Sequence, residues 1–223
     1  MKRPIKKIDP WFFVCVGSVA LQGLCYYFTS GLSSPAVEVW IPYDAAIPFL
    51  PVFVLFYLFW FAYAVGGLLI NWYFHVESRA QHKEFLKFFI LLAGGLVLCT
   101  VGFIVFPTQI PAYLQPDISQ RTDIFSCMVG FIYGTDGLKN AFPSEHCFVA
   151  MAVCTGFMRM PNLKRSRHRY WAYPLNILIT VGICASTVFI KQHSILDVFG
   201  ALGLYLILFA LIYGIPWKPL QAE

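Results

Sequence analysis

The 223 residues carry a formal net charge of +5, are 59% hydrophobic and only 12% charged, and have a mean hydropathy of +0.68. A soluble domain is about 25% charged, so this composition excludes an ordinary globular fold in water and makes lipid part of the solvent. The small positive balance does not call for a nucleic-acid partner, because the lysines and arginines are laid out as a membrane-topology signal.

A membrane helix needs about 20 mostly apolar residues. In chain order such runs fall at 11–30, 48–74, 85–106, 142–158, 170–190 and 195–215. They predict an all-α polytopic bundle of about six transmembrane helices, a single domain over 1–223 with no internal repeat or low-complexity tract. Met1-Lys2-Arg3-Pro4 resembles the start of a signal peptide, but the long apolar run behind it, without a clear small-residue cleavage site, reads as an uncleaved first helix. Cys15, Cys25, Cys99, Cys154 and Cys184 lie in apolar runs, where a thiol is a small hydrophobe. Cys127 and Cys147 lie toward the other face, and spacing leaves their pairing open.

Orientation follows from the cations. Thirteen of the sixteen lysines and arginines, from Lys2 through Arg79, the Arg159–Arg169 cluster and Lys218, fall on one set of loops, while Arg121, Lys139 and Lys191 fall on the other. The first set reads as cytoplasmic, with both termini inside and the cluster drawn to anionic headgroups. The outer face then carries 31–47, the long segment 107–141 and a short turn at 191–194. With Pro107, Pro111, Pro116, Tyr113 and Tyr133, segment 107–141 reads as a partly ordered outer cap at headgroup level.

The outer cap ends in Asn140-Ala141-Phe142-Pro143-Ser144-Glu145-His146, where an apolar helix begins. Pro and Ser at a helix start are ordinary punctuation. The same free amides also form an anion site, and His146 falls in its first turn. Two helices later comes Lys191-Gln192-His193-Ser194-Ile195-Leu196-Asp197, with His193 and Asp197 four apart on one helix face. A carboxylate so placed fixes one imidazole nitrogen and frees the other. Alone, this is a weak surface pair. The predicted topology brings both motifs, forty-seven residues apart from His146 to His193, to the outer ends of adjacent helices. Two histidines, an orienting carboxylate and a helix N-terminus at the edge of lipid suit in-line displacement at phosphorus.

These residues resemble the type 2 phosphatidic acid phosphatase (PAP2) superfamily. Its second motif, Pro-Ser-Gly-His, is similar to Pro143-Ser144-Glu145-His146. Its third, Ser-Arg, five residues, His, three residues, Asp, is similar to Ser186-Thr187 followed by His193 and Asp197. The resemblance implies that His193 is the nucleophile that forms a phosphohistidine, that Asp197 orients it, that His146 protonates the leaving alcohol and that Ser144 helps hold the phosphate. It implies no metal and no cofactor. The chain departs from the pattern where Thr187 replaces the third-motif arginine, and the first motif, Lys, six residues, Arg-Pro, is unrecognisable, with Phe103 and Ile110 in its cationic positions when Pro111 is set in register. Lys191 and then Lys139 are the expected substitutes for the missing phosphate clamp.

The expected activity is hydrolysis of a lipid phosphomonoester or pyrophosphate on the outer face of the plasma membrane, with membrane lipid as the partner. The runner-up transfers the phosphoryl or phospho-headgroup to a second alcohol. This resembles the divergent branch of inositol phosphorylceramide and sphingomyelin synthases, suggested by Phe106-Pro107-Thr108-Gln109-Ile110-Pro111. A third reading is a lipid transporter that kept the fold without the chemistry. The absence of an Asn-x-Ser/Thr sequon is compatible with a bacterial plasma membrane.

Overall fold

The structure, a computed structural model, describes residues 10–31, 35–75 and 77–215. The cations Lys2, Arg3, Lys6, Lys7 and Lys218 that contributed to the expected orientation lie outside the described residues. The chain is built almost entirely of helices. Long apolar runs close their backbone hydrogen bonds internally, as lipid demands. The order is α1 (Pro10–Ser30), α2 (Pro42–Ala46), α3 (Val54–Phe74), α4 (Arg79–Val105), α5 (Ile124–Asp136), α6 (Glu145–Arg159), α7 (Pro161–Arg165), α8 (Arg169–Phe189) and α9 (Ile195–Gly214). The 3-10 turn Pro51–Phe53 leads into α3.

Among the described residues, five stretches are long and apolar enough to cross a membrane: Pro10–Ser30, Pro51–Phe74, Arg79–Val105, Arg169–Phe189 and Ile195–Gly214. The sixth expected span differs. Its helix α6 has 15 residues, short of the roughly 20 that a lone helix needs. It is nevertheless the core of the bundle, packed against α3, α4, α8 and α9, with Cys147, Phe148, Val149, Ala150, Ala152 and Val153 all buried. A helix walled by other helices need not match the thickness of the hydrocarbon, and its recessed start sets the depth of the motif it carries.

Small residues allow this close approach. A Cβ at Gly95 of α4 would lie 1.9 Å from the Phe148 ring, one at Gly67 of α3 would lie 2.3 Å from Val153, and one at Gly200 of α9 would lie 2.3 Å from Phe142. The end of the bundle where α4 and α8 begin gathers the cations. Arg159 Nε pairs with Glu84 at 3.2 Å, and the Arg159 and Lys87 charges stand over the Tyr213 ring at 4.7 and 5.1 Å.

The opposite end is more ordered than the sequence suggested. Two short strands, β1 (Val37–Glu38) and β2 (Thr108–Gln109), pair in parallel and tie 35–47 to the start of the segment 107–141. Within that segment, α5 is a 13-residue helix started by Asp123, whose carboxylate accepts from Ser126 N at 2.9 Å, and stopped at Gly137, which takes φ +70°. Trp40 and Tyr113 meet edge to face at 5.5 Å, and Tyr43 of α2 is exposed, aromatic residues suited to a headgroup layer. Cys127 is exposed and Cys147 buried, and both are free thiols.

Candidate active site

The site lies where α6 and α9 begin. At the close of α8, Lys191 adopts the left-handed conformation with φ 58°, and the Thr187 carbonyl accepts from both Gln192 N at 2.9 Å and His193 N at 3.0 Å. This closed turn ends the helix. α9 starts at once: Ser194 Oγ accepts from Leu196 N at 3.1 Å, and Asp197 Oδ2 accepts from Ser194 N at 2.8 Å. The same Oδ2 faces His193 Nδ1 at 3.3 Å, which leaves the other ring nitrogen, Nε2, uncommitted.

At the start of α6, Ser144 Oγ accepts from Cys147 N at 3.4 Å. Ser144 N in turn donates to the Asp197 carbonyl at 3.1 Å, so the two helix starts are joined through backbone. The result is that the His146 and His193 rings stand 5.7 Å apart, centroid to centroid, at 62°. Tyr57 and Trp60 of α3 pack on His146, each at 4.5 Å, and Trp60 Nε1 donates to its carbonyl at 3.1 Å. No hydrogen bond to a His146 ring nitrogen occurs among the described residues.

The expected residues fall into two groups. His146, His193 and Asp197 come together. Ser144 is fully buried with its hydroxyl committed to the helix cap. Lys191 donates from Nζ to the carbonyls of Asp44 and Ile47, each at 2.6 Å; burial lowers its ammonium from the usual lysine value, with the Asp44 charge opposing. Lys139 is half-buried in the strand-like bridge to Gln109. Arg121 lies 5.0 Å above the Phe49 ring.

Three further carboxylates complete the surroundings. Asp44 of α2, buried, accepts from Ser194 Oγ at 2.7 Å and Ile195 N at 2.9 Å, clamping the His193 turn from 150 residues away. Asp136 ends α5 and accepts from Tyr26 Oη at 2.6 Å and from Tyr57 Oη. Glu145 occupies the position of the motif's glycine, and its Oε2 accepts from Gln22 Nε2 at 3.0 Å. The Glu145 substitution was visible in the motif. The Asp44 contact had no local signal.

Electrostatics follow this wiring. Burial works against a charged His193 ring, but the hydrogen bond and charge of Asp197, with Cys147 and Asp136 behind them, raise it above the ordinary imidazole value. Burial works to raise the Asp136 carboxyl. The His146 ring, the two tyrosine hydroxyls and His193 outweigh that and hold it below the usual carboxylate value. A cavity of about 290 Å³ leads from His146, Asp136 and Glu145 into the bundle between α1, α3, α4 and α6, walled by Val19, Phe61 and Leu92 among others. Among the described residues no group of three or more His, Cys, Asp or Glu side chains is placed to hold a metal ion.

The sequence profile of the PAP2 superfamily matches residues 84–220, a stretch running from early α4 past α9 that takes in both histidines and Asp197. None of the curated proteins compared with the chain matches it.

Replacing Asp44 by Ala removes the acceptor of Ser194 Oγ and Ile195 N, and should cost about 2 kcal/mol of stability, the upper range for a lost helix cap with buried donors left unpaired. Thermal unfolding in detergent should show the lower midpoint, whereas Asp44→Asn should retain part of it; an unchanged midpoint for the alanine variant would remove Asp44 from the clamp.

Proposed function

We propose, since the chain belongs to the PAP2 superfamily, that it breaks the phosphorus–oxygen bond of a membrane lipid phosphate through a covalent phosphohistidine on His193. Membership supports a lipid phosphatase or phosphotransferase in a multi-pass helical membrane protein. The observation that carries the finer reading is the pair of rings 5.7 Å apart, one with its Nδ1 held by a buried carboxylate at 3.3 Å.

In this reading His193 Nε2 attacks phosphorus and the bond to the lipid oxygen breaks. Asp197 holds the His193 ring in the tautomer that presents Nε2 and stabilises the cation formed as the bond closes. His146, across the same space, gives a proton to the departing lipid alcohol. The amides at the start of α6 face the phosphoryl oxygens. Water then attacks the phosphohistidine and releases phosphate. The lipid chain occupies the apolar cavity, reached from the side between α1 and α3, where Val19, Phe61 and Val65 line it and are also exposed to lipid. No metal enters this scheme. The cation-rich end, carrying Arg79, Arg159 and Arg169, is cytoplasmic, which puts the histidines near the outer leaflet of the plasma membrane.

A second reading keeps every step up to the phosphohistidine and lets an acceptor alcohol replace water. The observation in its favour is that Phe103, Ile110 and Thr187, where the motifs carry cations, are all buried and uncharged. A lipid phosphate supplied in detergent separates the two, because inorganic phosphate without any added acceptor means hydrolysis.

His193→Ala should abolish turnover in a folded, inserted protein, and wild-type enzyme quenched in alkaline detergent, which preserves a phosphoramidate bond, should carry label from a phosphate-labelled lipid on His193. Undiminished activity in that variant would falsify the nucleophile assignment. His146→Ala should be partly rescued by a substrate with a very good leaving group, with recovery of roughly 10-fold or more.

The pH profile checks the pairing. The attacking nitrogen must be neutral, so the rate falls as pH drops through the His193 pKa, and its raised value sets that fall at higher pH than for an ordinary imidazole. Asp197→Asn removes the charge that raises it, and should move the acid limb to lower pH while reducing kcat by roughly 100-fold or more. An acid limb that does not move would separate Asp197 from His193 titration.

A further inference from the structure

The polar end of the cavity has a charge that lipid phosphate alone does not explain. Asp136, Glu145 and His146 line it together with Gln22 and Tyr26, and no lysine or arginine lies among its lining residues. The motif positions that would bring cations hold Phe103, Ile110 and Thr187. The ammonium of Lys191 is turned away onto two carbonyl oxygens. Two carboxylates therefore line this end of the cavity with no lysine or arginine among the described lining residues, and the cationic partners near Asp136 are the imidazoles of His146 and His193.

Two further observations point to a ligand there. Glu145, 8% exposed, uses Oε2 for Gln22, while its Oε1 takes no hydrogen bond among the described residues. His146, 7% exposed, lines the same cavity, and neither ring nitrogen makes a hydrogen bond among the described residues. A carboxylate left open beside apolar walls needs a donor, and beside a second carboxylate it needs a cation. The aromatic residues Tyr26 and Trp60 are also among the lining residues, and aromatic rings attract organic cations. A metal ion fits less well, since no metal-holding group of three side chains occurs among the described residues.

We infer that Asp136 and Glu145 form a seat for an organic ammonium group, so that the lipid taken by this site carries an amine close to its phosphate and is zwitterionic rather than purely anionic. This rests on the proposed lipid-phosphate chemistry and narrows its substrate class. The amine can belong to the headgroup, as in an ethanolamine phosphodiester, or to the backbone of the leaving alcohol, as in a sphingoid base phosphate. In both, the ammonium lies within a few bonds of phosphorus. In the first case P–O cleavage leaves a phosphoethanolamine group on His193 and releases diacylglycerol with the proton from His146. In the second it leaves a phosphoryl group and releases the amino alcohol.

The test measures equilibrium binding to the full chain carrying His193→Ala, so that turnover does not intervene, in detergent with EDTA. The probes are phosphatidylethanolamine and a sphingoid base phosphate, each beside its N-acetylated counterpart. We expect the amine form of one pair to bind about 10-fold more tightly than its acetylated form. Adding Glu145→Gln or Asp136→Asn should bring that ratio below about 3-fold. The pair that shows the effect identifies headgroup or backbone as the source of the amine. Equal binding within both pairs overturns the inference, as does a ratio that neither carboxylate variant changes. The broader reading fails separately, if wild-type protein binds the amine lipid with the expected ratio yet cleaves none of the four.

Discussion

One backbone hydrogen bond, from the Ser144 amide to the Asp197 carbonyl at 3.1 Å, fixes the relation between the two halves of the site. Without it, α6 and α9 are two helices that begin at the same end of a bundle. With it, the first turn of α6 sits against the first turn of α9 and the two imidazole rings stand 5.7 Å apart. The burial of α6 supports the same geometry. Gly95, Gly67 and Gly200 let α4, α3 and α9 close around the α6 region, so its start has little room to shift, and a positioned pair of groups is what phosphoryl transfer chiefly requires of a protein.

The turn that presents His193 is held from outside the bundle as well. Asp44 and Lys191 make reciprocal contacts, carboxylate to the start of α9 and ammonium to the α2 carbonyls. Tyr133 Oη donates to the Ile190 carbonyl at 2.7 Å, bringing the segment 107–141 to the same place. These two segments, α2 and the stretch 107–141, thus act as a brace for a left-handed residue that would otherwise be costly. That placement also commits the Lys191 ammonium to the Asp44 and Ile47 carbonyl oxygens.

Much of the helix plan was legible in the sequence, because runs of apolar residues are dictated by lipid and need no tertiary information. The ends of α1, α3, α8 and α9 fall within a few residues of the apolar runs. α4 starts earlier than its apolar run, because Ser78 caps it ahead of the polar turn Arg79-Ala80-Gln81-His82. The shortness of α6 was not legible, since the apolar stretch continues back through Phe142 while the backbone there is spent on the Phe142 amide's bond to Thr108 Oγ1 at 2.8 Å. α5 was hidden by the prolines before it, although Asp123 and Gly137 were its start and stop signals. Proximity of Lys191 to His193 along the chain gave its position but not its direction, which the left-handed turn and the distant Asp44 and Ile47 carbonyls decide. Asp44 itself is a contact across 150 residues, and no local pattern encodes it.

The central claim is that one phosphorus atom fits between His193 and His146. A structure of the full chain with orthovanadate, which mimics the pentacoordinate phosphoryl group, tests this most directly. The account predicts vanadium bonded to, or within about 3 Å of, His193 Nε2, with a His146 ring nitrogen at hydrogen-bond distance from the opposite apical oxygen. Vanadate bound away from both rings, or held on His193 with His146 turned from it, would contradict the account.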